Sequence, residues 1–318
     1  MNRGGIMAEK VAEYFGVDVK KKTPLTINSI GKPAIPCPFR NGDCLKLAKG
    51  QVPVCSVRSP KNGSLWIVCE HRLCASTPKT SPLTPYQVGI LKHIIETVEP
   101  NLPADIHPVF QREGKIRRNP GKANSDDSKA DFLVHFVTDS GKVDPRFRPI
   151  VLEMQGGGET SNTKSMSNHV REWELGKSGV QLDSTISNVG SIETNAWRRQ
   201  QEQFLFKGSV ATKSNARLVF AVGARLYDKL MSNLTSAPSA IPSAGGWTLA
   251  ILAFDEVKQG QKGIGTAGSI ELAIDQSKTL FTDFGSFSRA LTDQGSFDPE
   301  LFQGEFRRLD NVVVNLKP

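Results

Sequence analysis

The chain has 318 residues, 38% of them hydrophobic and 23% charged, with a formal net charge of +8. That is enough chain to bury one large core, or one core and a small satellite. No apolar run approaches the roughly 20 residues a membrane helix needs, and the N-terminus has no apolar signal-peptide core, so a cytoplasmic protein with no membrane partner is expected.

The charge is unevenly placed. Residues 1–75 hold 12 Lys/Arg against 5 Asp/Glu, and the rest of the chain is nearly balanced. A locally basic surface suits a polyanion, because neutralising phosphates releases condensed counterions. Solubilising charge is the plainer alternative.

Residues 8–16 read as a short amphipathic helix ending at Gly16. A Lys- and Pro-rich connection follows, and then all five cysteines: Cys37, Cys44, Cys55, Cys69 and Cys74. Their confinement argues against a disulfide framework and for a small module held by thiolates around a tetrahedral ion. Leu65-Trp66-Ile67-Val68 reads as a strand that delivers Cys69. With six, ten, thirteen and four residues between successive cysteines and no CxxC pair, buried free thiols remain an alternative. Five candidates for four places leave one over, which we take to be Cys74; His71 competes as a ligand. Residues 1–76 form this first unit, and 77–318 the second.

Ser76 to Pro85 reads as a linker. Thr84 as N-cap and Pro85 at the first helical position open a helix whose apolar stripe is Tyr86, Ile90, Leu91, Ile94, Ile95 and Val98. Gln111 to Lys122 reads as a basic loop, with five Lys/Arg against one Glu. Strands are expected at Asp131–Val137, Ile150–Gln155, Leu218–Val222 and Trp247–Phe254, and helices around Glu193–Lys207 and Ala224–Leu234. This mixture predicts an α/β or α+β domain around one mixed sheet flanked by helices.

The chemistry concentrates in Ile150-Val-Leu-Glu-Met-Gln155, an apolar strand with an acid at 153 and an amide at 155 on one face. Asp131 opens the preceding strand, so a hairpin-like pairing would bring Asp131 and Glu153 together. Two converging carboxylates bind Mg2+. The alternative is that strand ends are polar because they emerge into water.

Several blocks resemble, in the same order, those of the NotI-type restriction endonucleases, members of the PD-(D/E)xK nuclease superfamily. They are Val11-Ala-Glu-Tyr-Phe-Gly16, Cys37-Pro-Phe39, Val54-Cys55, Trp66-Ile-Val-Cys69, Asp131 followed twenty-two residues later by Glu153, and Asn195-Ala-Trp-Arg-Arg199 with Gln203-Phe-Leu-Phe-Lys207. The likeness spans residues 8–76 and 130–210 and is thin elsewhere.

It implies a type II, site-specific, Mg2+-dependent endonuclease acting on double-stranded DNA, at a GC-rich palindrome and as a homodimer, beside a cognate DNA methyltransferase. Asp131 and Glu153 would be metal ligands. Gln155 would take the place usually held by Lys and orient the attacking water, since an amide is neither base nor cation. Glu113 would be a further catalytic acid, and Gln203 a supporting residue.

Cys37, Cys44, Cys55 and Cys69 would bind iron; thiolate chemistry alone suits zinc equally. Cys37 and Cys44 lie closer together than in that family. Arg112, Arg117, Arg118, Arg198 and Arg199 are the candidate DNA contacts, for guanine or for phosphate. The run Gly156-Gly-Gly158 would let backbone approach DNA. Two other readings are a catalytically silent, metal-containing DNA-binding protein and a less specific repair or mobile-element nuclease.

Overall fold

Two β-sheets organise the chain, and the computed structural model describes residues 7–21, 35–75, 81–116, 128–156, 164–189, 204–292, 303–308 and 311–316. The smaller sheet carries the cysteines. Its strands are β1 (Met7–Tyr14), β2 (Val17–Asp18), β3 (Val54–Arg58) and β4 (Leu65–Ile67), ordered β2-β1-β3-β4, with β8 (Ile186–Val189) on the other side of β1. A one-turn helix, α1 (Leu45–Ala48), precedes β3, and a 3-10 turn, Glu70–Leu73, follows β4.

The helix expected over 8–16 is therefore a strand. β1 is paired along its edges by β3 and β8, and both of its faces are packed, Val11 into one core and Ala12 into the other, so its apolar residues do not alternate cleanly. Val11, Ala12 and Tyr14 are all buried, and so are Glu9 and Glu13. The chain reverses through Phe15 and Gly16, both at positive φ (49° and 71°), as a two-residue hairpin between Tyr14 and Val17 requires. A Cβ on Gly16 would also lie 2.4 Å from Pro38 Cγ.

The larger sheet has the order β11-β10-β9-β7-β6-β5. Here β5 is Ile106–Ile116, β6 Ser128–Thr138, β7 Ile150–Gln155, β9 Arg217–Gly223, β10 Leu249–Glu256 and β11 Leu272–Thr282. The first three form an antiparallel meander. β7, β9 and β10 then run parallel, and β11 closes the far edge antiparallel.

Helices cover both faces, as parallel strands need. On one side α2 (Pro85–Val98) packs Ile90, Leu91 and Ile94 against Phe132, Leu152 and Val219. Its start is fixed by a capping box, in which Thr84 and Gln87 each accept the other's backbone N–H. On the other side lie α3 (Lys164–Glu174), α4 (204–213), α5 (Ala224–Ser232) and α6 (Phe284–Thr292), contributing Val170, Phe204, Leu226 and Phe287 to a second core. A mixed α/β fold is thus established. A separate exposed hairpin, β12 (Gly304–Arg307) and β13 (Val313–Leu316), follows near the C-terminus.

The boundary expected at residue 76 is crossed in several places. β8 comes from beyond it yet joins the cysteine sheet. Arg72 is fully buried and spans the junction: it donates to Glu13, to Tyr86 on α2 and to the Ile270 carbonyl before β11, and stacks 4.5 Å from the Phe39 ring. Arg225 of α5 pairs with Glu9 at 2.8 Å and lies over Trp66. The two sheets are bolted together by buried charge.

Candidate active site and cysteine module

The three acids named from sequence fall on three adjacent strands. Pairing of β6 with β7 stops at Phe132↔Leu152, and one step further along the same register Asp131 stands opposite Glu153. The β5–β6 register (Arg112↔Phe132, Gly114↔Ala130) places Glu113 across from Asp131 on the outer side. Where the β6–β7 ladder ends, the β7 backbone would lack a partner. Asp131 supplies one: its Oδ2 accepts the Met154 N–H at 2.8 Å.

Alternation along β7 sends Val151, Glu153 and Gln155 to the side covered by α4, and Leu152 and Met154 to the side covered by α2. Glu153 is only 4% exposed. Burial, and next the nearby charge of Asp131, push its carboxyl up to about 8, while Lys207 pulls it down. The Lys207 ammonium lies 2.6 Å from Glu153 Oε2, and Glu153 Oε1 is buried with no hydrogen-bond partner among the described residues. An orphaned, buried carboxylate oxygen beside a second acid fits a divalent cation, which would satisfy it. Gln155 ends β7 half-buried, on the same side as Glu153.

Lys207 is the residue that sequence reading passed over. It lies on α4 in the line Phe204, Lys207, Gly208, Ala211, all buried. Phe204 stacks on Phe220 of β9 at 3.8 Å, and a Cβ on Gly208 would meet Phe284 at 2.0 Å, so the helix is pressed close to its neighbours. The available signal was a lysine in the middle of an apolar helical stripe, which a solvent-facing helix does not produce.

Other expected residues fare differently. Gln111–Ile116 belongs to β5 instead of a loop: an edge strand can carry charge on its open side. Glu113 sits there at φ 49° and pairs with Lys129 at 3.2 Å. Arg112 donates to the Ser81 carbonyl, so its described contact is within the protein. Gly156 approaches protein backbone as well, since a Cβ there would lie 3.2 Å from the Ile67 carbonyl and 3.3 Å from that of Cys69. Arg117, Arg118, Arg198, Arg199, Gln203 and the two following glycines lie outside the described residues.

In the cysteine module the backbone brings the cysteines together two by two. Reciprocal backbone bonds, Cys37 N–H to Gly42 and Cys44 N–H to Ile35, close a loop that brings Cys37 and Cys44 together. The Cys69 N–H donates to the Cys55 carbonyl across β3 and β4.

The N–H groups of Phe39 and Arg40 favour a Cys37 thiolate, and that of His71 favours a Cys69 thiolate. Burial dominates, pushing Cys37 up to about 11 and raising Cys55 and Cys69, and the neighbouring cysteines add to each shift. Thiols kept protonated by burial, and further by one another's charge, suit a thiophilic cation that replaces their protons. Cys74 stands apart: besides burial, the charges that reach it are those of Asp131 and Arg112. His71 is buried; its Nε2 lies 3.9 Å from Glu70 Oε1, and neither ring nitrogen has a hydrogen-bond partner among the described residues. Among those residues, no group of three or more His, Cys, Asp or Glu is drawn close enough to hold an ion. No helix among them is long and apolar enough to cross a membrane.

No protein-family model and no curated protein matches the chain.

Proposed function

We propose that this protein is a Mg2+-dependent endonuclease of the type II restriction class, with a PD-(D/E)xK core, cutting both strands of DNA. The observation that carries the reading is the opposed pair Asp131 and Glu153 at the end of the β6–β7 ladder, with a buried carboxylate oxygen to which no described residue donates. The mixed sheet flanked by helices and the place of Glu113 beside Asp131 support it. A DNA-binding protein without activity has no use for a pair of acids, one buried and one half-buried, at its DNA site, because they repel phosphate.

Asp131 and Glu153 would hold Mg2+, which lowers the pKa of water and offsets charge on the phosphodiester. In hydrolysis the water oxygen bonds to phosphorus, the ester oxygen leaves, and that oxygen gains a proton. The chain's own residues prepare this step. Met154 N–H fixes the Asp131 carboxylate. The Gln155 amide, on the Glu153 side, orients water through hydrogen bonds. Cys37, Cys44, Cys55 and Cys69 would hold a structural iron or zinc ion. A homodimer would present one site to each strand of a palindrome.

Incubation with phage DNA and Mg2+ tests the reading. Discrete fragments support a site-specific enzyme. A smear would point to a less specific nuclease, and intact DNA from a folded protein overturns the assignment.

A further inference from the structure

We propose that Lys207, reaching the site from α4, supplies the cationic charge that the strand motif lacks at Gln155. The inference rests on the nuclease reading. Its basis is geometric: the ammonium is 2.6 Å from Glu153 Oε2, and both side chains are within 5% of full burial.

The buried pair Arg72–Glu13 is structural, and there both Glu13 oxygens are bonded, to Ser56 and Arg72 and to the Ile270 N–H, which offsets the loss of water. A closed structural pair thus satisfies its polar atoms, whereas Glu153 keeps one oxygen without a partner. The position is held with care: Phe204 stacks on Phe220 one turn before, and Gly208 has no room for a side chain.

Charge accounting gives the purpose. Two carboxylates and one divalent cation sum to zero, and Glu113 is balanced by Lys129, so no net positive charge is left for a phosphodiester that gains negative charge as water loses a proton and adds. With the Lys207 ammonium the sum is +1. Fixed positive charge in a water-poor site is among the strongest ways to stabilise such a transition state. Lys207 moves no proton in this account.

A lysine at 155 would project from the same strand face as Glu153, two residues or roughly 6.6 Å along β7, and could bring its ammonium back to the same place. The experiment therefore compares wild type, Lys207→Met and the exchange Lys207→Met/Gln155→Lys on plasmid DNA with Mg2+. Melting temperature, and DNA affinity in EDTA, are measured in parallel.

The expected result for Lys207→Met is a melting temperature within about 5 °C of wild type, metal-free DNA affinity within about threefold, and cleavage slowed at least 100-fold. The exchange restores at least tenfold of the loss. Cleavage by Lys207→Met within threefold of wild type overturns the inference while leaving the nuclease reading intact. So does a folded exchange variant that stays inactive, or a loss of cleavage matched by loss of metal-free DNA affinity. If Lys207→Met does not fold, the exchange variant decides alone by the same criterion. Wild type that leaves DNA intact overturns the nuclease reading itself, and this assignment with it.

Discussion

Replacing Arg72 by Met probes whether the cysteine sheet and the large sheet form one cooperative unit. The arginine is fully buried and makes three hydrogen bonds, to Glu13, Tyr86 and the Ile270 carbonyl. Methionine keeps much of the stem volume but leaves Glu13 charged in the core. Removing one partner of a buried pair costs about 3–5 kcal/mol. Glu13 retains two donors, Ser56 Oγ and the Ile270 N–H, so the lower part of that range applies, about 3–4 kcal/mol. At about 2 °C per kcal/mol for a chain this long, the melting temperature falls by roughly 6–8 °C.

Adding Glu13→Leu removes the stranded charge and should return at least half of the loss. Urea denaturation followed by tryptophan fluorescence and by circular dichroism provides the check, with coincident transitions expected because Trp66 and Trp247 report from the two sheets. A single-variant cost under 1 kcal/mol, additive behaviour of the pair, or two separated transitions would refute the reasoning.

Three further outcomes are expected, the first two from the metal site proposed for the cysteines. Cys55→Ser should lower bound iron or zinc, measured by elemental analysis, and destabilise the fold. Cys74→Ser, removing the thiol that stands apart, should leave metal content unchanged. Asp275→Asn should cost about 1 kcal/mol at pH 7, discounted because its partner Lys258 is largely exposed and screened. Burial pushes the Asp275 carboxyl up, but hydrogen bonds from Lys258 and Ser277 together outweigh it and hold the carboxyl down at about 2 against its usual 3.8. Its contribution is therefore full above about pH 4 and lost as pH falls through 2, so urea midpoints of wild type and variant should converge there.

Much of the frame was legible because local signals agreed. Thr84, Pro85 and a clean apolar stripe marked α2, and the unbroken apolar run of Ile150 to Leu152 marked a strand covered on both faces. Asp131 and Glu153 could be paired from sequence because strand alternation and a plausible hairpin suffice. What failed depended on tertiary neighbours. β1 hid its period by being buried on both sides, and β5 disguised an edge strand as a basic loop. The joining of β8 to β1 links residues nearly 180 positions apart, which no local pattern encodes. Lys207 looked like an ordinary helical lysine until the packing of α4 showed which way it faced.

The proposed function stands on Asp131 and Glu153 as the cleavage centre. Its most direct test is single-turnover cleavage of supercoiled plasmid by wild type, Asp131→Ala and Glu153→Ala with Mg2+ and with EDTA. Linear product is expected from wild type with Mg2+ alone, and at least a 1,000-fold loss in each variant while both remain folded and bind DNA. Cleavage by either variant at more than a tenth of the wild-type rate, or cleavage by wild type in EDTA, would contradict it.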